Sequence, residues 1–203
     1  MRHFKINFIN QINTSYSRTL FELESEILVP GPFVKPSFGA ETCVVVIDMQ
    51  PYFLDQFSRQ RRDSLVKAQG RGLGALSRSD CSLAVVEYGG YNKSIKEVRD
   101  YLPQFRRAKS VKKFQDDAFH SGLLVDWLVR WRVNDLVVMG INASGCVQRT
   151  CEKAITLVYP VCTALDVIAN NDKDVEQVHY NTCIPWYREN CRVFESSRDL
   201  VNC

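Results

Sequence analysis

Three residues with complementary chemistry lie at or just beyond the ends of predicted strands: Asp48, Lys113 and Cys146. In open α/β sheets, ligands bind beyond the carboxyl ends of the strands, so these positions are the first candidates for a functional site. A free thiol has a pKa of about 8.5, and a nearby ammonium group together with a helix N-terminus would favour its thiolate form. The carboxylate would accept the thiol proton. The three groups together predict an activated nucleophile.

The segments that position these residues alternate between strand and helix patterns. Short apolar runs predict strands in CVVVID (43–48), SLAVVEY (82–88), KSVKKF (109–114), DLVVMGI (135–141), YPVCTALDVIA (159–169, with a loop) and CRVFES (191–196). Helices are predicted at 58–76, 95–102, 121–132, 147–157 and 174–183. Continuous β-branched runs are typical of strands buried on both faces. We therefore predict an α/β fold, a three-layer α/β/α sandwich with a central, mostly parallel sheet.

Length and composition narrow the class of protein. The 203 residues suit one domain, which we place at 41–203 after an N-terminal extension at 1–40. The net charge is +3, from 26 Lys and Arg against 23 Asp and Glu, and the basic residues are spread along the chain. Nucleic-acid binding is therefore not expected. No apolar run approaches the ~20 residues that span a bilayer, and no secretory h-region begins the sequence, so we expect a cytoplasmic protein that does not bind membranes.

The eight cysteines are the unusual feature of the composition: Cys43, Cys81, Cys146, Cys151, Cys162, Cys183, Cys191 and Cys203. Their spacing contains no C-x-x-C pair, and the sequence has only three histidines, which argues against a zinc site. A domain of this length needs no disulfide framework. We expect one reactive thiol and seven cysteines that pack as small apolar side chains.

Three motifs in the order of the predicted strands resemble those of a known family. VVVIDMQPYF (44–53) contains the aspartate, VKKFQDDAF (111–119) contains the lysine six positions before a phenylalanine, and VVMGINASGCVQRTCEKAI (137–155) contains the cysteine. Together they are similar to the isochorismatase-like cysteine hydrolases, which include nicotinamidases, carbamoylsarcosine amidases and ureidoacrylate amidases. The resemblance spans about residues 42 to 170, and it selects Lys113 over its neighbour Lys112.

The resemblance implies amide hydrolysis by a triad of Asp48, Lys113 and Cys146. Cysteine attack would give a thioester acyl-enzyme, which water then hydrolyses. It also implies a cis peptide bond between Ile141 and Asn142, which aims the backbone N–H groups of Asn142 and Cys146 at the oxyanion. It implies no cofactor, and a homo-oligomer, either a dimer or a tetramer.

Departures from the family pattern restrict the substrate. The stretch directly after Asp48 and the end of the second strand, VVEYGGYNKS, contain no histidine, which argues against a metal-dependent nicotinamidase. The presence of Cys146 argues against enol-ether cleavage. The predicted reaction is therefore metal-independent cleavage of a carbon–nitrogen bond in a small amide, ureide or carbamoyl compound. The residues predicted to contact this substrate are Gln50, Tyr52, Phe53, Glu87, Tyr88 and Phe119. For Phe53 and Phe119 the alternative is packing, and for Glu87 the alternative is pairing with Lys113.

Two other classes of function remain open at the level of sequence. The first is a catalytically silent binding or interaction protein that keeps the scaffold, although a missing triad residue would have favoured it and none is missing. The second is a thiol redox protein, in which Cys146 would form a disulfide with another cysteine. A nucleotide-binding role is not expected, because DMQPYF after the first strand is not a glycine-rich loop.

Overall fold

A parallel β-sheet forms the centre of the molecule. The computed structural model describes residues 38–201, apart from the side chains at positions 174–177, 179 and 201, so the predicted extension at 1–40 lies almost wholly outside the described residues. The strands are β1 (Thr42–Ile47), β2 (Ser82–Tyr88), β3 (Arg107–Lys113), β4 (Asp135–Ile141), β5 (Val161–Ala164), β6 (Ile168–Ala169) and β7 (Arg192–Phe194). Their order is β3-β2-β1-β4-β5-β7, with β6 paired to β4 and every pair parallel.

Helices connect the strands and cover the sheet, which confirms the predicted α/β/α class. They are α1 (Pro51–Leu54), α2 (Arg59–Leu76), α3 (Lys96–Arg99), α4 (Leu123–Arg130), α5 (Gln148–Thr156), α6 (Asp174–Asn190) and α7 (Ser197–Val201). Helix α2 packs against α7, and α5 packs against α6. Within residues 38–201, no helix is both long enough and apolar enough to cross a membrane.

The central strands are apolar because both of their faces are covered. Every residue of β1 is buried, and the run Val44, Val45 and Val46 has no exposed surface. The same holds for nearly all of β2 and β4, its two neighbours in the sheet. A β-branched run of this kind fits a pleated surface that packs against helices above and below it.

Strands β1 and β4 approach each other closely near their carboxyl ends. Gly140 pairs with Ile47 and has a φ of +136°. A Cβ atom at Gly140 would lie 2.2 Å from the carbonyl oxygen of Ile47, so only glycine fits. On the other side of β1, β2 pairs with β3 so that Tyr88 lies beside Lys113. The ends of β1, β3 and β4 are thereby gathered at one edge.

The predicted helix boundaries differ from the structure in three places. The helix predicted at 95–102 is shorter, because α3 covers only four residues and a 3₁₀ turn follows at Leu102–Gln104. The helix predicted at 174–183 continues to Asn190 and includes Pro185. Because proline has no backbone N–H to donate within a helix, its presence in the sequence predicted an earlier end. The short helices α1 and α7 were not predicted, since four or five residues are too few to show a helical period.

Candidate active site

A buried ion pair joins the ends of β1 and β3. Lys113 Nζ lies 2.9 Å from Asp48 Oδ2, and the two side chains are 0% and 2% exposed. Lys113 Nζ also donates to the carbonyl oxygens of Gln115 (3.1 Å) and Asp116 (3.3 Å), and lies 4.6 Å from the centroid of the Tyr88 ring. Within the described part of the chain, neither oxygen of Asp48 has a well-aligned hydrogen-bond donor. The lysine is therefore the group that balances the buried carboxylate.

Burial and mutual charge shift the pKa of both partners. Burial raises the pKa of Asp48 above that of an ordinary carboxyl group, although the charge of Lys113 opposes this, and the charge of Asp116 adds to the rise. For Lys113, burial disfavours the charged form, but Asp48 and Cys146 outweigh it and raise its pKa. Lys113 thus stays charged at neutral pH, and Asp48 is a stronger base than a surface carboxylate.

The third predicted residue, Cys146, lies on a turn of π-helical hydrogen bonding, Ala143–Val147, between β4 and α5. Its thiol interacts with both Asp48 and Lys113. Burial, reinforced by the charge of Asp48, raises the pKa of Cys146 to about 12 despite the opposing charge of Lys113. The nearby Lys113 favours the thiolate, as the sequence indicates, but the net shift favours the protonated thiol in the resting site. Its proton has to leave during attack.

The surroundings of the other thiols agree with the expectation of packing. Cys43, Cys81, Cys151, Cys162 and Cys183 are buried, whereas Cys146 and Cys191 are half-buried. Cys203 lies outside the described residues. Exposure therefore separates Cys146 from all but one of the described cysteines.

The turn that carries Cys146 is closed by its own backbone. The carbonyl oxygen of Asn142 accepts hydrogen bonds from the N–H groups of Gly145 (3.0 Å) and Val147 (3.1 Å). The peptide bond between Ile141 and Asn142 is cis, the bond at which the family resemblance implies this form. These contacts fix Cys146 directly after the end of β4.

Two distant side chains hold the same turn in place. The buried Tyr187 hydroxyl on α6 donates to the carbonyl oxygen of Ala143 at 2.6 Å. Asn170 accepts a hydrogen bond from Ser144 N (3.0 Å) and donates one to Ser144 Oγ (2.7 Å). Neither Tyr187 nor Asn170 was identified from the sequence, since no local pattern indicates which segment lies over the turn.

The hydroxyl of Thr150 connects the cysteine turn to the loop that follows Lys113. It donates to the carbonyl oxygen of Cys146 (2.7 Å) and accepts from the N–H of Ala118 (3.2 Å), and the side chain is fully buried. The sequence carried one signal for this contact, because a threonine four residues after Cys146 on a helix can bond back to its carbonyl. Thr150 therefore sets the distance between the thiol and the lysine loop.

We expect Thr150→Val to lose about 1–3 kcal/mol of unfolding free energy, because the buried groups of Cys146 and Ala118 lose their partner. We also expect kcat to fall by roughly tenfold with little change in KM. Urea unfolding and steady-state kinetics measure the two effects. The matched control is Thr156→Val, whose exposed hydroxyl bonds only within α5, to the carbonyl oxygen of Glu152. Equal effects from both variants would contradict a positioning role for Thr150.

Two residues predicted to bind substrate instead hold the loop after β2. Gln50 Nε2 donates to the carbonyl oxygens of Tyr88 (3.1 Å) and Asn92 (2.5 Å), and its Oε1 accepts from Tyr88 N at 2.7 Å. Glu87 Oε1 accepts from Ser94 N at 2.7 Å and does not pair with the active-site lysine. These polar groups are already engaged by the backbone, which favours a supporting role for both.

The predicted aromatic residues form a cluster beside the ion pair. Tyr52, which is 53% exposed, stacks on Tyr91 with ring centroids 4.3 Å apart. Tyr91 also contacts Phe53 (5.1 Å) and Tyr88 (6.0 Å) edge-on, and it was not identified from the sequence. Phe119 is 4% exposed and packs in the core, as the alternative interpretation held. The cluster offers ring surfaces next to Tyr88, which contacts the lysine.

A shallow cleft of about 430 Å³ lies on the loop that follows Lys113 and along α5. Its lining consists of Gln115, Asp116, Asp117, His120, Arg149, Glu152, Lys153 and Thr156. A larger cleft of about 610 Å³ lies beside α1 and α2. None of Asp48, Lys113 and Cys146 lines either cleft. Among residues 38–201, no three His, Cys, Asp or Glu side chains are grouped so that they could hold a metal ion.

Solved structures with this arrangement of strands and helices come from several hydrolases. They include a nicotinamidase from Staphylococcus aureus and isochorismatase-like proteins from two other bacteria, each with a TM-score of 0.63 to 0.65. The chain has the isochorismatase-like fold. No protein-family model and no curated protein sequence matches the chain.

Three further solved structures with a similar fold carry different names. The MAR1 ribonuclease from Caenorhabditis elegans matches at a TM-score of 0.68 and 13% identity, over 84% of this chain and 82% of its own. The ycaC gene product of Escherichia coli, an octameric hydrolase of unknown specificity, matches at 0.68 and 12%, also over 84% and 82%. The N-carbamoylsarcosine amidase from Thermoplasma acidophilum matches at 0.59 and 17%, over 77% and 96%. At such identities the likeness establishes the fold.

Proposed function

We propose that the chain is a metal-independent cysteine hydrolase that cleaves a carbon–nitrogen bond of a small amide, ureide or carbamoyl compound. The observation that carries the proposal is the buried pair of Asp48 and Lys113 beside the thiol of Cys146. A carboxylate and an ammonium group are rarely buried without a purpose, and strongly perturbed groups cluster at functional sites. The fold, which an N-carbamoylsarcosine amidase shares, supports the same reaction class.

Acylation begins with the thiol protonated and Asp48 ionised. As Cys146 Sγ attacks the carbonyl carbon, Asp48 takes the thiol proton, and Lys113 stabilises the negative charge of the site. The backbone N–H groups of Asn142 and Cys146 are assigned to the oxyanion, a type of contact whose loss typically costs ~10²–10³ in rate. Asp48 then gives its proton to the leaving nitrogen, the carbon–nitrogen bond breaks, and a thioester remains.

Deacylation reuses the same carboxylate. With the amine or ammonia released, Asp48 is ionised again and takes a proton from a water molecule that attacks the thioester carbon. The carbon–sulfur bond breaks, and the proton returns to Cys146. Each cycle therefore consumes one water molecule and restores the thiol, with no oxidant, metal or cofactor in the balance.

We expect the pH profile of kcat/KM to show an acid limb above the ordinary carboxyl pKa of 3.8, because Asp48 acts as a base only when ionised and burial raises its pKa. Activity is thus lost as the pH falls through this raised pKa. Lys113 must stay charged, and its pKa is raised above 10.5, so it should not limit activity near neutral pH. An acid limb at or below pH 3.8 would contradict the assignment of Asp48 as the base.

The proposed activity is tested by ammonia release from a panel of small primary amides, ureides and carbamoyl compounds. We expect saturable release for at least one compound class, and the Cys146→Ala variant serves as the blank. RNA belongs in the panel as a contrasting substrate, since the C. elegans protein with this fold is a ribonuclease. Cleavage of RNA without release of ammonia from any compound would overturn the proposal.

The two other classes of function predict different outcomes. A catalytically silent binding protein would release no ammonia, whatever its affinity for the panel. A redox protein would form a disulfide at Cys146 under mild oxidant. The nearest cysteine in the sequence, Cys151, is fully buried and interacts with Cys191 instead, which favours hydrolysis over this alternative.

The assembly state and location are part of the proposal. We propose a homo-oligomer, since the E. coli structure with this fold is an octameric hydrolase. The dimer or tetramer implied by the sequence resemblance is the specific form of this proposal. The cytoplasmic location and the absence of a nucleic-acid partner stay predictions from the sequence.

A further inference from the structure

A second carboxylate lies beside the proposed nucleophile, on its solvent side. The thiol of Cys146 donates to Asp116 Oδ1 at an S···O distance of 3.6 Å, and the Asp116 side chain is exposed. The carbonyl oxygen of the same residue accepts a hydrogen bond from Lys113 Nζ at 3.3 Å. The loop that wraps the lysine therefore also brings Asp116 to the thiol. None of the motifs in the sequence indicated this residue.

The charges around the thiol do not cancel. Asp48 and Lys113 neutralise each other in their ion pair, and the Cys146 thiol is protonated at neutral pH, so Asp116 leaves the site with a net negative charge. The electrostatic effect is visible within the site, because the charge of Asp116 contributes to the raised pKa of Asp48. A group that approaches Cys146 from solvent thus meets a carboxylate first.

The adjoining cleft does not reverse this balance. Besides His120, it contains three carboxylates and two basic side chains, Arg149 and Lys153. One of the two cations, Arg149, is paired with Glu152 at 3.0 Å, which leaves Lys153 opposite two aspartates. The negative charge beside the thiol is therefore not offset by the residues that line this cleft.

We propose that Asp116 determines substrate specificity by selecting compounds that carry a positive charge, such as an ammonium or guanidinium group, near the reacting carbonyl. The same carboxylate disfavours compounds with a carboxylate or phosphate at that position. The substrate class rests on the proposed function, whereas the charge preference at the thiol does not. A unit charge a few ångströms away at a partly exposed site changes a rate on the order of tenfold.

The neighbouring residue Asp117 supplies a matched control. Its Oδ1 accepts a hydrogen bond from Phe119 N at 2.8 Å, a local turn contact, whereas the thiol donates to Asp116. Asp117→Asn therefore removes the same formal charge from the same loop. Asp116→Asn keeps the shape and the acceptor oxygen while it removes the charge, and Asp116→Ser is a second variant that also removes the charge.

The test compares two methanethiosulfonate reagents of similar size, one with a trimethylammonium-ethyl group and one with a sulfonatoethyl group. The rate of modification at Cys146 is followed by peptide mass spectrometry. The ratio of cationic to anionic rate constants is compared within each protein, so any change in the fraction of thiolate cancels. We expect this ratio to fall about tenfold in Asp116→Asn and Asp116→Ser and to change little in Asp117→Asn. The half-buried Cys191 in the same samples is the internal reference.

An unchanged ratio in both Asp116 variants, or a preference of the wild type for the anionic reagent, would overturn the inference. The substrate class is tested with matched cationic and anionic amides, for which the ratio of kcat/KM should also fall about tenfold in Asp116→Asn. Hydrolysis with an unchanged ratio would contradict the role of Asp116 and leave the hydrolase proposal intact. A changed labelling ratio without any hydrolysis would support charge selection by Asp116 and contradict the proposed function.

Discussion

Replacing Cys146 with alanine is expected to lower kcat by on the order of 10⁴-fold or more, because no thioester can form without the thiol. The variant should unfold at nearly the same urea concentration as the wild type, since the side chain is half-buried and lies at the edge of the core. Serine at this position should be almost as inactive, because a hydroxyl is far less acidic than a thiol and is a poorer nucleophile toward an amide carbonyl. Ammonia release and urea unfolding measure the two properties.

The control for Cys146 is the other half-buried thiol in the described part of the chain. Cys191→Ser changes a cysteine of similar exposure on the segment between α6 and β7. We expect it to keep the greater part of the wild-type kcat. If Cys146→Ala retains more than about a tenth of the activity, or if Cys191→Ser loses as much, Cys146 is not the nucleophile.

Removing the lysine of the buried ion pair is expected to abolish activity and to destabilise the fold. In Lys113→Met, Asp48 would remain 2% exposed with no cation and no aligned donor among the described groups. Breaking a buried pair from one side typically costs about 3–5 kcal/mol, since an uncompensated charge is left behind. Urea unfolding at pH 7 measures this loss, and ammonia release measures the activity.

The double variant Asp48→Asn with Lys113→Met separates stability from catalysis. It removes both charges, so we expect most of the unfolding free energy to return while activity stays absent. The pH dependence gives a second check. In Lys113→Met the folded-state pKa of Asp48 rises further above its unfolded value, so stability is retained at low pH and lost as the pH rises. If Lys113→Met is as stable at pH 7 as at pH 5, an uncompensated charge on Asp48 does not destabilise it. If the double variant is active, the ion pair is not needed for catalysis.

The sequence predicted the sheet well because its central strands are buried on both faces. β1, β2 and β4 appear as continuous apolar runs rich in valine, and their limits follow from those runs. The positions of Asp48 and Lys113 followed from the rule that sites form at the carboxyl ends of strands, and the structure brings these two residues into contact. Residue type and position in the sequence were sufficient to place these two side chains, because each lies at the end of a strand.

The missed features depend on contacts between distant segments. The Tyr187 hydroxyl donates to the carbonyl oxygen of Ala143, which lies 44 positions away in the sequence. Asp116 accepts a hydrogen bond from the Cys146 thiol, which lies 30 positions away. The raised pKa of Cys146 could not be predicted for the same reason. The sequence indicated a nearby cation, but the raised pKa results chiefly from burial and from the charge of Asp48. Burial of a side chain is a property of the packed fold.

In the proposed mechanism, Cys146 carries the acyl group during turnover. The most direct measurement is intact-mass analysis of the enzyme, quenched in acid during turnover of an amide that it hydrolyses, followed by peptide mapping. We expect an added mass equal to the acyl part of the substrate, located on the peptide that contains Cys146. This mass should be absent from Cys146→Ala, and hydroxylamine, which cleaves thioesters, should remove it. Turnover with the acyl mass on another residue, or the same adduct in Cys146→Ala, would contradict this role of Cys146.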